Sequence, residues 1–100
     1  MTNDLNVLER AARRFMATGE FAKAIRIYLS MADGDPSLDA GYLGEKLGEC
    51  YEALGQLDAA KYWYGRAVEE NPEVRTLAKQ RREALAALTV ADIVPEMAGE

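Results

Sequence analysis

Apolar residues recur along this chain at steps of three and four, the spacing of one helical face, in five successive stretches. In the first, Leu5, Leu8, Ala12 and Phe15 make a stripe that Asn3 or Asp4 is placed to cap. Phe21, Ala24, Ile25, Tyr28, Met31 and Ala32 make the second, which runs into the turn-forming cluster Asp33-Gly34-Asp35-Pro36. Ala40, Leu43, Leu47, Tyr51 and Leu54 form the third stripe, and Leu57, Ala60, Tyr64, Ala67 and Val68 the fourth. Asn71-Pro72 follows, with Asn as a cap and Pro opening the next helix. The fifth stripe is Val74, Leu77, Ala78, Ala84, Leu85 and Leu88, with Arg75, Lys79, Arg82 and Glu83 expected to face away from it.

These stretches come in register. Thirty-six residues separate Gly19 from Gly55, Ala24 from Ala60, Tyr28 from Tyr64 and Pro36 from Pro72. A fixed period of this length means one helical hairpin copied, each copy needing its neighbour to bury an apolar face. The expected fold class is all-α: a single domain over residues 1–88, with a first repeat at about 5–38, a second at about 41–74 and a capping helix at about 73–88. Residues 89–100 are expected to form a tail.

Leu47-Gly48, followed by Tyr51, Gly55, Ala60-x-x-x-Tyr64, Ala67 and Pro72, resembles a tetratricopeptide repeat. The first hairpin is similar, through Leu8, Ala11-Ala12, Phe15, Gly19, Ala24-x-x-x-Tyr28, Met31 and Pro36. The resemblance covers Leu5 to Val74 and implies an α-α superhelix in which the first helix of each pair lines a concave groove for a peptide or helix. Mapped here, that groove would comprise Asn6, Glu9, Arg13, Tyr42, Glu45, Glu49, Glu52, Lys79 and Glu83. Five acids against two bases imply a basic or mixed-charge partner, with Tyr42 as an amphipathic contact. The family's carboxylate clamp for acidic chaperone tails needs Lys and Asn where Glu9 and Arg13 stand, so that ligand is not expected. Gly44 departs from the family's pattern by replacing a large residue, a loss of packing for which Leu43 is expected to swing in. The period also exceeds the family's length of about 34 residues. The surplus falls near Asp39-Ala40, where it extends either helix three or the loop before it.

Composition narrows the chemistry further. The formal charge is −5 and no histidine is present, which disfavours nucleic-acid or anionic-membrane partners and removes imidazole-based catalysis and metal ligation. No catalytic residues, metal site or cofactor are expected. The single cysteine, Cys50, is expected to be a passive thiol in a reducing compartment. No secretory leader is visible in Met1 to Met16, and no apolar run approaches the ~20 residues that span a bilayer, so a cytoplasmic protein is expected. Arg81, inside the fifth apolar arc, is expected to lay its methylenes on the core and lift its charge to solvent. The favoured function is therefore an adaptor binding another polypeptide. The alternative is a self-assembling scaffold that forms homo-oligomers through a helix-four patch (Ile27, Tyr62, Trp63) or through the tail (Ile93, Val94, Met97).

Overall fold

Local chemistry sets the limits of the helices. The computed structural model describes residues 4–88 together with Val94 and Glu96, and all its regular structure there is helical: α1 (Leu5–Ala17), α2 (Phe21–Asp33), α3 (Tyr42–Ala53), α4 (Leu57–Glu70) and α5 (Thr76–Ala86). The Asp4 side chain caps α1, accepting from the backbone N–H groups of Asn6 at 2.9 Å and Val7 at 3.4 Å. Gly19 and Gly55 turn the chain between the helices of each pair with φ of +79° and +75°, left-handed values that cost glycine little. Their identical placement fixes the two hairpins in the 36-residue register.

Each helix packs on the next in chain order, and α3 also meets α5. One core gathers Ala12, Ala24, Ile25, Tyr28, Leu38, Leu43, Leu47 and Cys50; a second gathers Ala60, Tyr64, Ala67, Ala78 and Leu85. Tyr51 packs against both and joins them. The twin tyrosines Tyr28 and Tyr64 are among the largest wholly buried side chains.

The surplus residues enlarge the loop between the hairpins. Leu38, Asp39, Ala40 and Gly41 all have positive φ, so Ala40 lies outside α3 and is exposed. A left-handed run of non-glycine residues costs roughly 1–2 kcal/mol per residue. It is held by Asp35, which accepts from the Ser37 N–H at 3.0 Å, the Ser37 hydroxyl at 2.7 Å and the Asp39 N–H at 2.7 Å, and by the burial of Leu38.

Four expectations are corrected. Gly44 does not mark lost packing: a Cβ there would stand 2.9 Å from the Trp63 carbonyl oxygen and 3.1 Å from the Ala67 nitrogen, so the α4 backbone fills the space itself. Asn71-Pro72 does not open the last helix directly. The Asn71 carbonyl accepts from Val74 and Arg75 in a turn, and α5 spans Thr76–Ala86 rather than 73–88. The fifth apolar stripe is also split, for Ala78 and Leu85 are buried against α4 while Val74, Leu77 and Leu88 are exposed. Among the described residues no further element covers that outer side. Leu54, expected in the third stripe, caps the end of α3 and is exposed.

Candidate functional site

Helices α1, α3 and α5 share one face of the stack, and the buried tyrosines reach it from behind. The Tyr28 hydroxyl on α2 donates to Glu9 Oε2 on α1 at 2.6 Å, and Arg13 Nε lies 2.7 Å from Glu9 Oε1. Burial, reinforced by that bond to Glu9, raises the Tyr28 hydroxyl far above the ordinary tyrosine range. Tyr42 at the start of α3 is also raised, first by burial and then by the charge of Glu9, which brings α1 and α3 together at this point.

The second hairpin repeats the device with other partners. The Tyr64 hydroxyl on α4 donates to Glu52 Oε1 on α3 at 2.8 Å. Arg81 on α5 donates to the same carboxylate through Nε at 3.1 Å and through Nη2, a bidentate fork. Arg81 holds the Glu52 carboxyl below the usual glutamate range, and burial followed by the Glu52 bond pushes Tyr64 well up. Arg81 does reach the exposed surface, as expected, but its charge is not left to solvent alone. Its guanidinium is spent on an acid of the same chain, because α5 lies beside α3 and brings the fork within reach.

Between these anchors, Glu45 on α3 accepts from the Ala78 N–H at 3.3 Å, capping the first turn of α5 from a neighbouring helix, and Arg75 Nη1 lies 3.6 Å from it. Lys46 pairs with Glu49 at 3.2 Å. Lys46 and Arg75 both stand over the Tyr42 ring, at 5.5 and 5.7 Å from its centre.

Glu9, Arg13, Tyr42, Glu45, Glu49 and Glu52 are thus brought onto one surface. Asn6, Lys79 and Glu83 are exposed and make no ion pair with them. Sequence reasoning missed Lys46, Arg75 and Arg81, three cations that balance the acids of this face. Arg75, expected to face away, is turned inwards because its Nε donates to the Ala40 carbonyl at 3.1 Å. Its position was a readable signal: it stands 36 residues after Asp39, a base in the register of an acid.

On the opposite face Ile27 and Trp63 are partly buried against the first core, while Tyr62 is exposed and meets the Trp63 ring edge-on at 5.1 Å. Beside them lies an open hollow of about 700 Å³ bordered by Arg26, Leu29, Leu38, Trp63 and Arg66. Val94 is exposed; Ile93 and Met97 lie outside the described residues. Cys50 is buried, and burial followed by the charge of Glu49 pushes its thiol up to about 11. Among the described residues no cluster of three or more His, Cys, Asp and Glu is placed to hold a metal, and no helix is long and apolar enough to cross a membrane.

Over 63 residues the chain is 30% identical to the TPR repeat-containing protein YpiA of Bacillus subtilis (strain 168). The match takes in 63% of this chain and 15% of that relative, so the chain spans a small part of the relative's length. No family model and no solved structure matches. Together with the paired helices, the similarity supports a tetratricopeptide-like helical repeat.

Proposed function

We propose that the chain is an interaction module that seats a peptide or helix of mixed or basic charge along the face built by α1, α3 and α5. The observation that carries this reading is the fixing of the glutamates there. Glu9 and Glu52 are each held by a tyrosine and an arginine and Glu45 by a backbone N–H and Arg75, while Glu49 faces Lys46 at 3.2 Å through a buried oxygen that makes no hydrogen bond. Side chains ordered before binding lose less entropy on binding, and alternating charges give a partner register as well as attraction.

The test is affinity capture repeated at low and high salt, followed by a titration of the captured polypeptide with wild type and Glu49→Lys. Glu49 is chosen because it holds no other helix in place. Charge reversal should weaken binding at low salt and lower its salt sensitivity; unchanged affinity at low salt removes the reading.

Self-assembly is the second reading, favoured by the exposed Tyr62 next to the open hollow on the α2–α4 face. Sedimentation of Tyr62→Glu separates the two, because a mass that is independent of this change and of concentration excludes that surface.

A further inference from the structure

Between the start of α1, the end of α2 and the left-handed loop lies a cleft of about 430 Å³. Leu5, Leu8, Met31 and Leu43 give it apolar lining, and Glu9, Asp35 and Asp39 give it acids. Glu9 is shared by Tyr28 and Arg13, and Asp35 is engaged within the loop. The Asp39 carboxylate makes no hydrogen bond or ion pair among the described residues.

The corresponding place in the second hairpin is filled. In the 36-residue register Leu5 matches Gly41, Asn6 matches Tyr42, Glu9 matches Glu45, Met31 matches Ala67, and Asp39 matches Arg75. Arg75 lies against these counterparts. Its Nε donates to the Ala40 carbonyl at 3.1 Å, its Nη1 is 3.6 Å from Glu45, and its guanidinium stands 5.7 Å from the centre of the Tyr42 ring. A Cβ on Gly41 would meet the Arg75 Cγ at 3.1 Å and the Ala67 carbonyl oxygen at 2.6 Å. One copy of the repeat therefore shows what its niche accepts: an aliphatic stem ending in a planar cation beside a carboxylate. In the other copy the residue in register with that filler is an acid, and no side chain of the described residues fills the niche.

We propose that the cleft of the first hairpin binds a guanidinium or ammonium group on an aliphatic stem, supplied by an arginine or lysine side chain of the partner polypeptide. The apolar lining takes the methylenes, and Asp39 with Glu9 takes the charge. That the side chain comes from a partner rests on the interaction-module reading; the chemistry of the cleft does not.

The probe is Nα-acetyl-arginine methylamide, titrated into the ¹⁵N-labelled full chain, with the uncharged norleucine analogue as control. Amide shifts are expected to concentrate at residues 5–9, 31–39 and 43 with the arginine probe and not with the control. Asp39→Asn, which tolerates the left-handed backbone, should weaken the probe by about threefold or more, the range of a part-exposed ion pair. Asp39→Arg should put a like charge and a long stem at the mouth of the cleft, abolishing the probe shifts. Shifts scattered over the surface, equal shifts with norleucine, or probe binding untouched by Asp39→Arg would overturn the assignment; the spectra themselves report that the variants are folded. A natural partner that binds Asp39→Arg as well as wild type, while the probe no longer binds, overturns the partner side chain as the source and leaves the interaction reading standing.

Discussion

The two hairpins share a register and differ in how closely their helices meet. In the second, Gly48 faces the Tyr64 ring so closely that a Cβ would stand 2.5 Å from it, and Gly44 admits the α4 backbone. In the first, the same two positions hold Ala12, wholly buried, and Leu8, half-buried along the open cleft. The cations differ as well: Glu9 takes Arg13 from its own helix, whereas Glu52 takes Arg81 from α5. In the first hairpin no side chain of the described residues fills the cleft. The second is stapled to the helix that follows. A repeated pattern thus specifies similar helices twice, and small changes in side-chain volume and charge decide how closely each pair packs.

The largest expected effect tests what the copies have in common. Tyr64→Ala and Tyr28→Ala should each cost about 3–5 kcal/mol, the usual range for emptying a buried aromatic site, measured by urea unfolding. A cost for Tyr28→Ala far below that of Tyr64→Ala would show that the first hairpin relaxes around its tyrosine and that the copies are not equivalent.

Next in size is the exchange of small residues. Gly48→Ala should destabilise by about 1–3 kcal/mol through overpacking against Tyr64, even though alanine favours the helix. The reverse change in the first hairpin, Ala12→Gly, should cost roughly 1–2 kcal/mol through lost propensity and a lost buried methyl. If Gly48→Ala proves stabilising, the close approach of α3 and α4 is not what separates the hairpins.

The anchoring cations come third. Arg81→Met should cost about 0.5–1 kcal/mol and Arg13→Met less than about 0.5 kcal/mol, since both arginines are substantially exposed and screened. The pH dependence has a definite sign. Arg81 lowers the folded-state pKa of Glu52, so its stabilisation is present above the ordinary glutamate value of about 4.3 and is lost as pH falls through the lower folded value. Melting temperatures of wild type and Arg81→Met should therefore converge on acidification from pH 7 to 3; a gap that persists at the acid end would exclude ionic coupling.

The smallest effect on stability, but a sharp readout, concerns Cys50 and its register mate Arg14, which is exposed on α1. With its thiol raised to about 11, Cys50 should be alkylated at pH 8 only as fast as the chain opens. A cysteine placed at position 14 in a Cys50→Ser background should react at the rate of a free thiol. Rapid labelling of Cys50 in the native chain would contradict its burial in the first core.

Most of the fold was legible because its causes are local. The three- and four-residue spacing of Leu5, Leu8, Ala12 and Phe15, the glycines at 19 and 55 and the Asp33–Pro36 cluster act within a turn or two of helix, and duplication repeats the message. Only about half of the candidate site was legible. Helical spacing placed Glu9, Glu45, Glu49 and Glu52 on one face, but it could not tell that Arg75 and Arg81 would turn towards them. Helix five misled for a related reason, because an apolar residue such as Leu77 fits a stripe whether or not a neighbour arrives to cover it.

The amino-acid sequence by itself determined the five helices of the described residues, their packing in chain order and the tyrosines buried between them, since backbone propensity and periodic burial depend on near neighbours. Only the tertiary structure decided which charges meet. Glu52 and Arg81 stand 29 residues apart, and Glu45 meets the first turn of α5 from 33 residues away. Such contacts depend on the angle and spacing between helices, which are set by how far Gly44 and Gly48 let α4 approach, a quantity no single stretch of sequence contains.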